Sequence, residues 1–97
     1  MIVELRQLEY FVAVAQELHF GRAAARVHVA PSAVSEQIKQ LEEALGVQLL
    51  NRATREVALT QAGRIFLGQS RIILMQVETA IELARVAETG GPNDASS

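Results

Sequence analysis

Cysteine is absent from these 97 residues, which excludes disulfides, a thiolate nucleophile and any cysteine-based zinc site. Aspartate is almost absent too: Asp94, close to the last residue, is the only one. The two histidines, His19 and His28, stand on either side of one short helical run, and neither has an evident carboxylate or nucleophile partner. No catalytic residues, no metal and no cofactor are therefore expected, and the chain does not read as an enzyme. No apolar run approaches the roughly 20 residues that a membrane helix needs, and no charged-then-apolar leader opens the chain. The expectation is a cytoplasmic protein with no membrane partner. A basic excess is missing as well: nine Lys and Arg face eleven Asp and Glu, for a net charge of −2. Nucleic-acid binders tend to carry such an excess, so any reading of that kind must rest on where the cations stand.

What is present suits one packed domain. Hydrophobic residues make up 49% of the chain and charged residues 21%, enough for a small core and too apolar for wholesale disorder. Leu5, Leu8, Phe11, Val12 and Ala15 recur at helical spacing and predict a first helix from Leu5 to Glu17. Leu18 to Gly21 breaks it, and Gly21 is a candidate cap for a short alanine-rich helix from Arg22 to Val27. His28-Val29-Ala30 forms a turn, after which Pro31 suits the first position of a third helix, where its missing N–H is no loss. That helix runs to Leu45 with Val34, Ile38 and Leu41 on one side and Ser32, Ser35, Glu36 and Lys39 on the other. Gly46 ends it in a left-handed cap, with Val47 placed for the accompanying apolar contact.

Two β-leaning pieces follow, Gln48–Arg52 and Glu56–Thr60, flanking Ala53-Thr54-Arg55, and they read as a small hairpin. Thr60 is a good N-cap for a last helix from Gln61 to about Glu88. The tail "TGGPNDASS" from residue 89 reads as a flexible linker or frayed end.

A short helix joined by a tight turn to a longer one is the helix-turn-helix arrangement, in which the second helix enters the major groove of duplex DNA. Close crossing of the two helices needs a small side chain, which Ala24 supplies, while Val27, Val29, Val34 and Ile38 fill the angle between them. The flanks add specificity. Together, "LRQLEYFVAVAQELHFGRAAARVHV", "SAVSEQIKQLEEALGVQLLNR" and "LTQAG" strongly resemble the N-terminal domain of LysR-type transcriptional regulators, without a gap from about Leu5 to Ile73.

The resemblance implies a mainly α fold. A winged helix-turn-helix of three helices plus a two-stranded wing would span 1–60, followed by a linker and dimerisation helix over 61–88. Double-stranded DNA is the implied partner, read as a (pseudo)palindromic operator by a homodimer. By position, Pro31, Ser32, Ser35 and Glu36 inherit the family's base-reading places. Arg22 and Lys39 are implied backbone contacts, and Arg52 and Arg55 match the arginines of its wing. The family tends to show Ser-Gln-Pro leading into this helix and often arginine where Glu36 stands. Glutamate can accept from a cytosine amino group and also repels phosphate, and both readings stay open. A separate effector-binding domain normally follows in the family. It is not expected in a chain of this length, which implies no small-molecule effector here. RNA polymerase is a further implied partner of a full-length regulator, and a nucleoid-associated place in the cytoplasm goes with it.

The last helix carries its own argument for pairing. Phe66, Ile73, Val77, Ala80 and Ala84 alternate in steps of three, four and seven, with Leu74 and Ile81 alongside. Such a stripe is wider than one small domain needs, and a second copy is the simplest cover. A competing function, a winged-helix adaptor that dimerises and binds protein, is favoured by the acidic balance and by Glu36. Four cations expected on one face argue against it.

Overall fold

The computed structural model describes residues 2–53 and 56–90. Its elements, in chain order, are α1 (Leu5–Glu17), α2 (Phe20–Arg26), α3 (Pro31–Leu45), β1 (Leu50–Asn51), β2 (Ala58–Leu59) and α4 (Gln61–Glu88). The mainly α winged helix-turn-helix expected from the sequence is the fold observed.

The central element is α1, buried on most of its circumference from Gln7 to Ala15. Phe11 and Val14 are wholly enclosed and share one core cluster with Val34, Ile38 and Leu41 of α3, Leu49 and Leu50, the first residue of β1. The buried Gln7 amide is satisfied, its Oε1 accepting the Glu4 N–H at 3.0 Å and its Nε2 donating to Gln37 Oε1 at 3.3 Å. Ala23 and Ala24 are fully buried where α2 meets the core, and Val27 and Val29 close the angle as expected. A larger side chain at either alanine would push the helix-turn-helix apart.

Two boundaries differ from the sequence reading, each for a local reason. His19, not Gly21, caps α2: its Nδ1 accepts the Arg22 N–H at 3.0 Å. Gly21 lies inside the helix and makes room for that ring, because a Cβ there would stand 2.9 Å from His19 Cε1. The strands are shorter than expected, two residues each, paired antiparallel as Leu50 with Leu59 and Asn51 with Ala58. Side chains take over the remaining backbone groups. The Leu49 and Leu50 N–H groups donate to Glu42, and the Gln48 carbonyl accepts from the Thr60 hydroxyl at 2.7 Å. Val47, expected to pack after the Gly46 cap, stays about half exposed, while Gly46 itself takes the left-handed conformation at φ +75°.

The start of α4 completes the core. Thr60 caps it, accepting the Gly63 N–H at 2.9 Å, and the Phe66 ring lies 5.7 Å from that of Phe11, centroid to centroid. Further along, Ser70 is fully buried and its hydroxyl has no hydrogen-bond partner among the described residues. Burying an unmade hydrogen bond costs about 1–3 kcal/mol, and alanine is also the better helix former. Ser70→Ala is therefore expected to stabilise the fold by about 1 kcal/mol, raising the thermal midpoint by about 4–8 °C. An unchanged or lower midpoint would mean that the hydroxyl has a partner.

Candidate nucleic-acid interface

The face of α3 turned away from the core is built by sequence spacing alone. Ser32, Ser35, Glu36 and Lys39 fall at steps of three, one and three, which places them along one side of the helix, opposite the buried Val34, Ile38 and Leu41. Pro31, Ser32, Glu36 and Lys39 are exposed, and Ser35 is half-buried. Glu36 is held in part by its own helix, its Oε2 accepting from Gln40 Nε2 at 3.3 Å. Two short hydroxyls at the helix start leave the backbone open to close approach by a large polyanion.

The cations around this face are less free than their sequence positions suggest. At the start of α2, Arg22 donates to the Glu17 carbonyl at 3.0 Å and stands 3.4 Å from the Glu17 carboxylate, which also receives Arg26 at 3.6 Å. Beyond β1, the Arg52 guanidinium lies 3.6 Å from Glu42 and 5.3 Å from the centroid of the Phe20 ring. Lys39 makes no ion pair among the described residues. Arg55 lies outside the described residues, as do residues 91–97 of the tail.

Along α4, the residues expected to pair divide into two groups. Ile73, Ala80, Ile81 and Ala84 are exposed, as pairing requires. Phe66 needs correction: its ring packs on Phe11 inside the chain, so it belongs first to the domain's own core. Leu74 and Val77 are half-buried already. The helix also shows apolar residues that the periodicity argument missed, with Ile65, Ile72, Met75 and Leu83 all exposed. They lie around the helix from the expected stripe, and a search for a single seam passes over them. Glu42, which ties the wing to α3, was missed for another reason: it is one of two adjacent glutamates that look alike on a solvated helix face.

A family model described as "Bacterial regulatory helix-turn-helix protein, lysR family" matches residues 5–64, more than half of the chain. The chain belongs to the LysR family. Its relatives include the transcriptional regulator AlsR of Bacillus subtilis, with 54% identity over 88 residues. That match takes in 91% of this chain and 29% of AlsR, so the chain spans under a third of its relative's length. Among solved structures, this LysR-family domain superposes on the BenM DNA-binding domain in complex with benA site 1 DNA. The TM-score is 0.87 at 39% identity, covering 91% of this chain and 99% of that one. The CbnR DNA-binding domain in its DNA complex gives a TM-score of 0.84 at 41% identity, over 89% of this chain and 99% of the other. The family is one of transcriptional regulators, which is not an enzyme class. Among the described residues, no helix is long and apolar enough to cross a membrane.

Proposed function

We propose that this chain is the DNA-reading module of a LysR-type transcriptional regulator and binds double-stranded DNA as a homodimer. The observation that carries the reading is the outward face of α3, where Pro31, Ser32, Ser35, Glu36 and Lys39 stand clear of the core on a fold seen bound to DNA in two relatives. In this reading Pro31, Ser32, Ser35 and Glu36 meet base edges in the major groove, and Arg22 and Lys39 meet phosphates. The wing that carries Arg52 and Arg55 lies along the backbone or minor groove. Residues 1–60 would do the reading, and 61–88 would link and pair the subunits. A longer regulator would add RNA polymerase as a partner, in the cytoplasm at the nucleoid.

Electrostatics make this a module that needs two copies. With Arg22 paired to Glu17 and Arg52 to Glu42, Lys39 is the one of these three candidate contacts that makes no ion pair among the described residues. Each phosphate contact contributes close to one power of salt dependence, so affinity accumulates by doubling the contacts.

The test is a titration into a labelled duplex carrying an interrupted palindrome with A·T-rich flanks, against a scrambled duplex, at several salt concentrations. Preference for the palindrome with a steep salt slope is the expected result. Glu36→Arg, measured the same way, should raise affinity for both duplexes about tenfold and steepen the slope by about 2 for a dimer. A fall in palindrome binding alone, with scrambled binding raised, would instead identify Glu36 as a base reader.

The adaptor reading has one observation in its favour. The negative Glu36 sits in the middle of the presented face, and two of the flanking arginines are already engaged with acids. Absence of duplex binding even at low salt would favour it.

A further inference from the structure

We infer that Glu42 is a positioning residue for the wing, and that Arg52 serves it from within the protein as a strut and not as a phosphate contact. The inference rests on the DNA-binding reading above. Glu42 stands on the last full turn of α3 with its side chain only 12% exposed. One oxygen, Oε2, accepts two backbone N–H groups, from Leu49 at 2.8 Å and Leu50 at 3.1 Å. The other, Oε1, faces Arg52 Nη2 at 3.6 Å. Both carboxylate oxygens are thus committed to the base of the wing, and bonds to an ionised acceptor are the stronger kind.

Arg52 directly follows β1, and its side chain is 39% exposed with its guanidinium lying against the protein. There it finds Glu42 on one side and the ring of Phe20, the first residue of α2, on the other. Carboxylate and aromatic face attract the same cation, and Arg52 would have to leave both to reach a phosphate. Asn51 adds a further tie, its Oδ1 accepting the Ala53 N–H at 3.0 Å where the wing departs.

The consequence is mechanical. The presented face of α3 and the wing must meet one duplex at a fixed spacing, yet among the described residues two residue pairs join the strands of the hairpin. So short a hairpin holds no angle by itself. One carboxylate joins α3 to β1, and through Arg52 the connection reaches α2, so all three elements turn as one body.

The experiment combines salt titrations against a mixed-sequence duplex with amide hydrogen exchange, on the full chain. Arg52→Gln should leave the salt slope at its wild-type value. A slope flattened by about 1.8 for a dimer, close to one unit per lost phosphate contact, would return Arg52 to the phosphates and overturn the inference. Glu42→Gln should lower affinity several-fold even though it removes a negative charge from a DNA-binding domain. In the same variant the Leu49 and Leu50 amides should exchange about tenfold faster while the α1 amides keep their protection. A rise in affinity with a steeper slope would mean that Glu42 only masks Arg52, and unchanged Leu49 and Leu50 exchange would mean that it holds nothing; either overturns the inference. Should Glu42→Gln fail to fold, the Arg52→Gln slope alone decides. Should the wild-type chain bind no duplex, the DNA reading fails, and amide exchange in Glu42→Gln still judges the strut.

Discussion

Gly63→Ala is expected to destabilise the fold by about 3 kcal/mol or more, a large share of the 5–15 kcal/mol that holds a domain together. Helix propensity alone says the opposite, since alanine inside a helix is better than glycine by about 1 kcal/mol. The contact decides the sign. Gly63 is buried in the first turn of α4, and a Cβ there would overlap the backbone carbonyl of Leu49 and stand 3.2 Å from Leu59 Cδ2. Neither obstacle is free to retreat. The Leu49 carbonyl accepts the Thr60 N–H at 3.0 Å, and the same residue's N–H is held by Glu42. Leu59 is paired with Leu50 across the hairpin. Gly68 on the same helix is the internal control, because nothing lies within 4 Å of a Cβ built on it. Urea unfolding should show Gly68→Ala stabilised by up to about 1 kcal/mol and Gly63→Ala strongly destabilised. Equal gains at both sites would remove the contact between the helix start and the wing.

The architecture was legible because the sequence repeats its message at several levels. Apolar spacing, Pro31 at a helix start, Gly46 at a helix end and the Thr60 cap each mark a boundary that the structure observes. At His19 the signal was ambiguous: a histidine nitrogen can cap a helix, but nothing in the local pattern ranks it above the glycine two residues on. His28 shows the reverse. It takes φ +63° in the turn of the helix-turn-helix, a conformation in which histidine is among the enriched non-glycine residues. Leu18 at φ +53° could not be foreseen, since no propensity favours a leucine there, and only the run from α1 into the α2 cap imposes it.

The outward face of α3 was legible in the sequence, and the ion pairs made by the cations around it were not. Position along α3 shows which side chains point away from the core. Position cannot show that Glu17 collects Arg22 and Arg26, or that Glu42 collects Arg52, because those pairs join separate elements or wrap a helix break. The pairs that Arg22 and Arg26 make with Glu17 are the more exposed ones, and ion pairs of that kind contribute little to stability. Their effect is on binding, since an acid beside a cation weakens its attraction for a phosphate. The net charge of −2 is thus a poor guide in either direction, and the salt slope is the direct measure of how many cations reach DNA.

Ile73→Asp is expected to separate the proposed homodimer and to reduce affinity for a two-half-site duplex about a hundredfold or more, the scale set by losing the second, tethered binding event. The shape of α4 sets this expectation. At ~1.5 Å per residue its 28 residues reach well past the core, and the molecule measures 58 Å along its longest axis. Along the expected stripe Ile73, Ala80, Ile81 and Ala84 are exposed, and Ile73 stands near its middle. An aspartate at the centre of such a seam would be buried without a counter-charge, which association cannot tolerate. Sedimentation should therefore report monomers for Ile73→Asp, with single half-site affinity unchanged, because the α3 face is untouched. A persistent dimer would move the subunit contact around the helix to the exposed Ile72, Met75 and Leu83, and Met75→Asp would then be the variant that separates it.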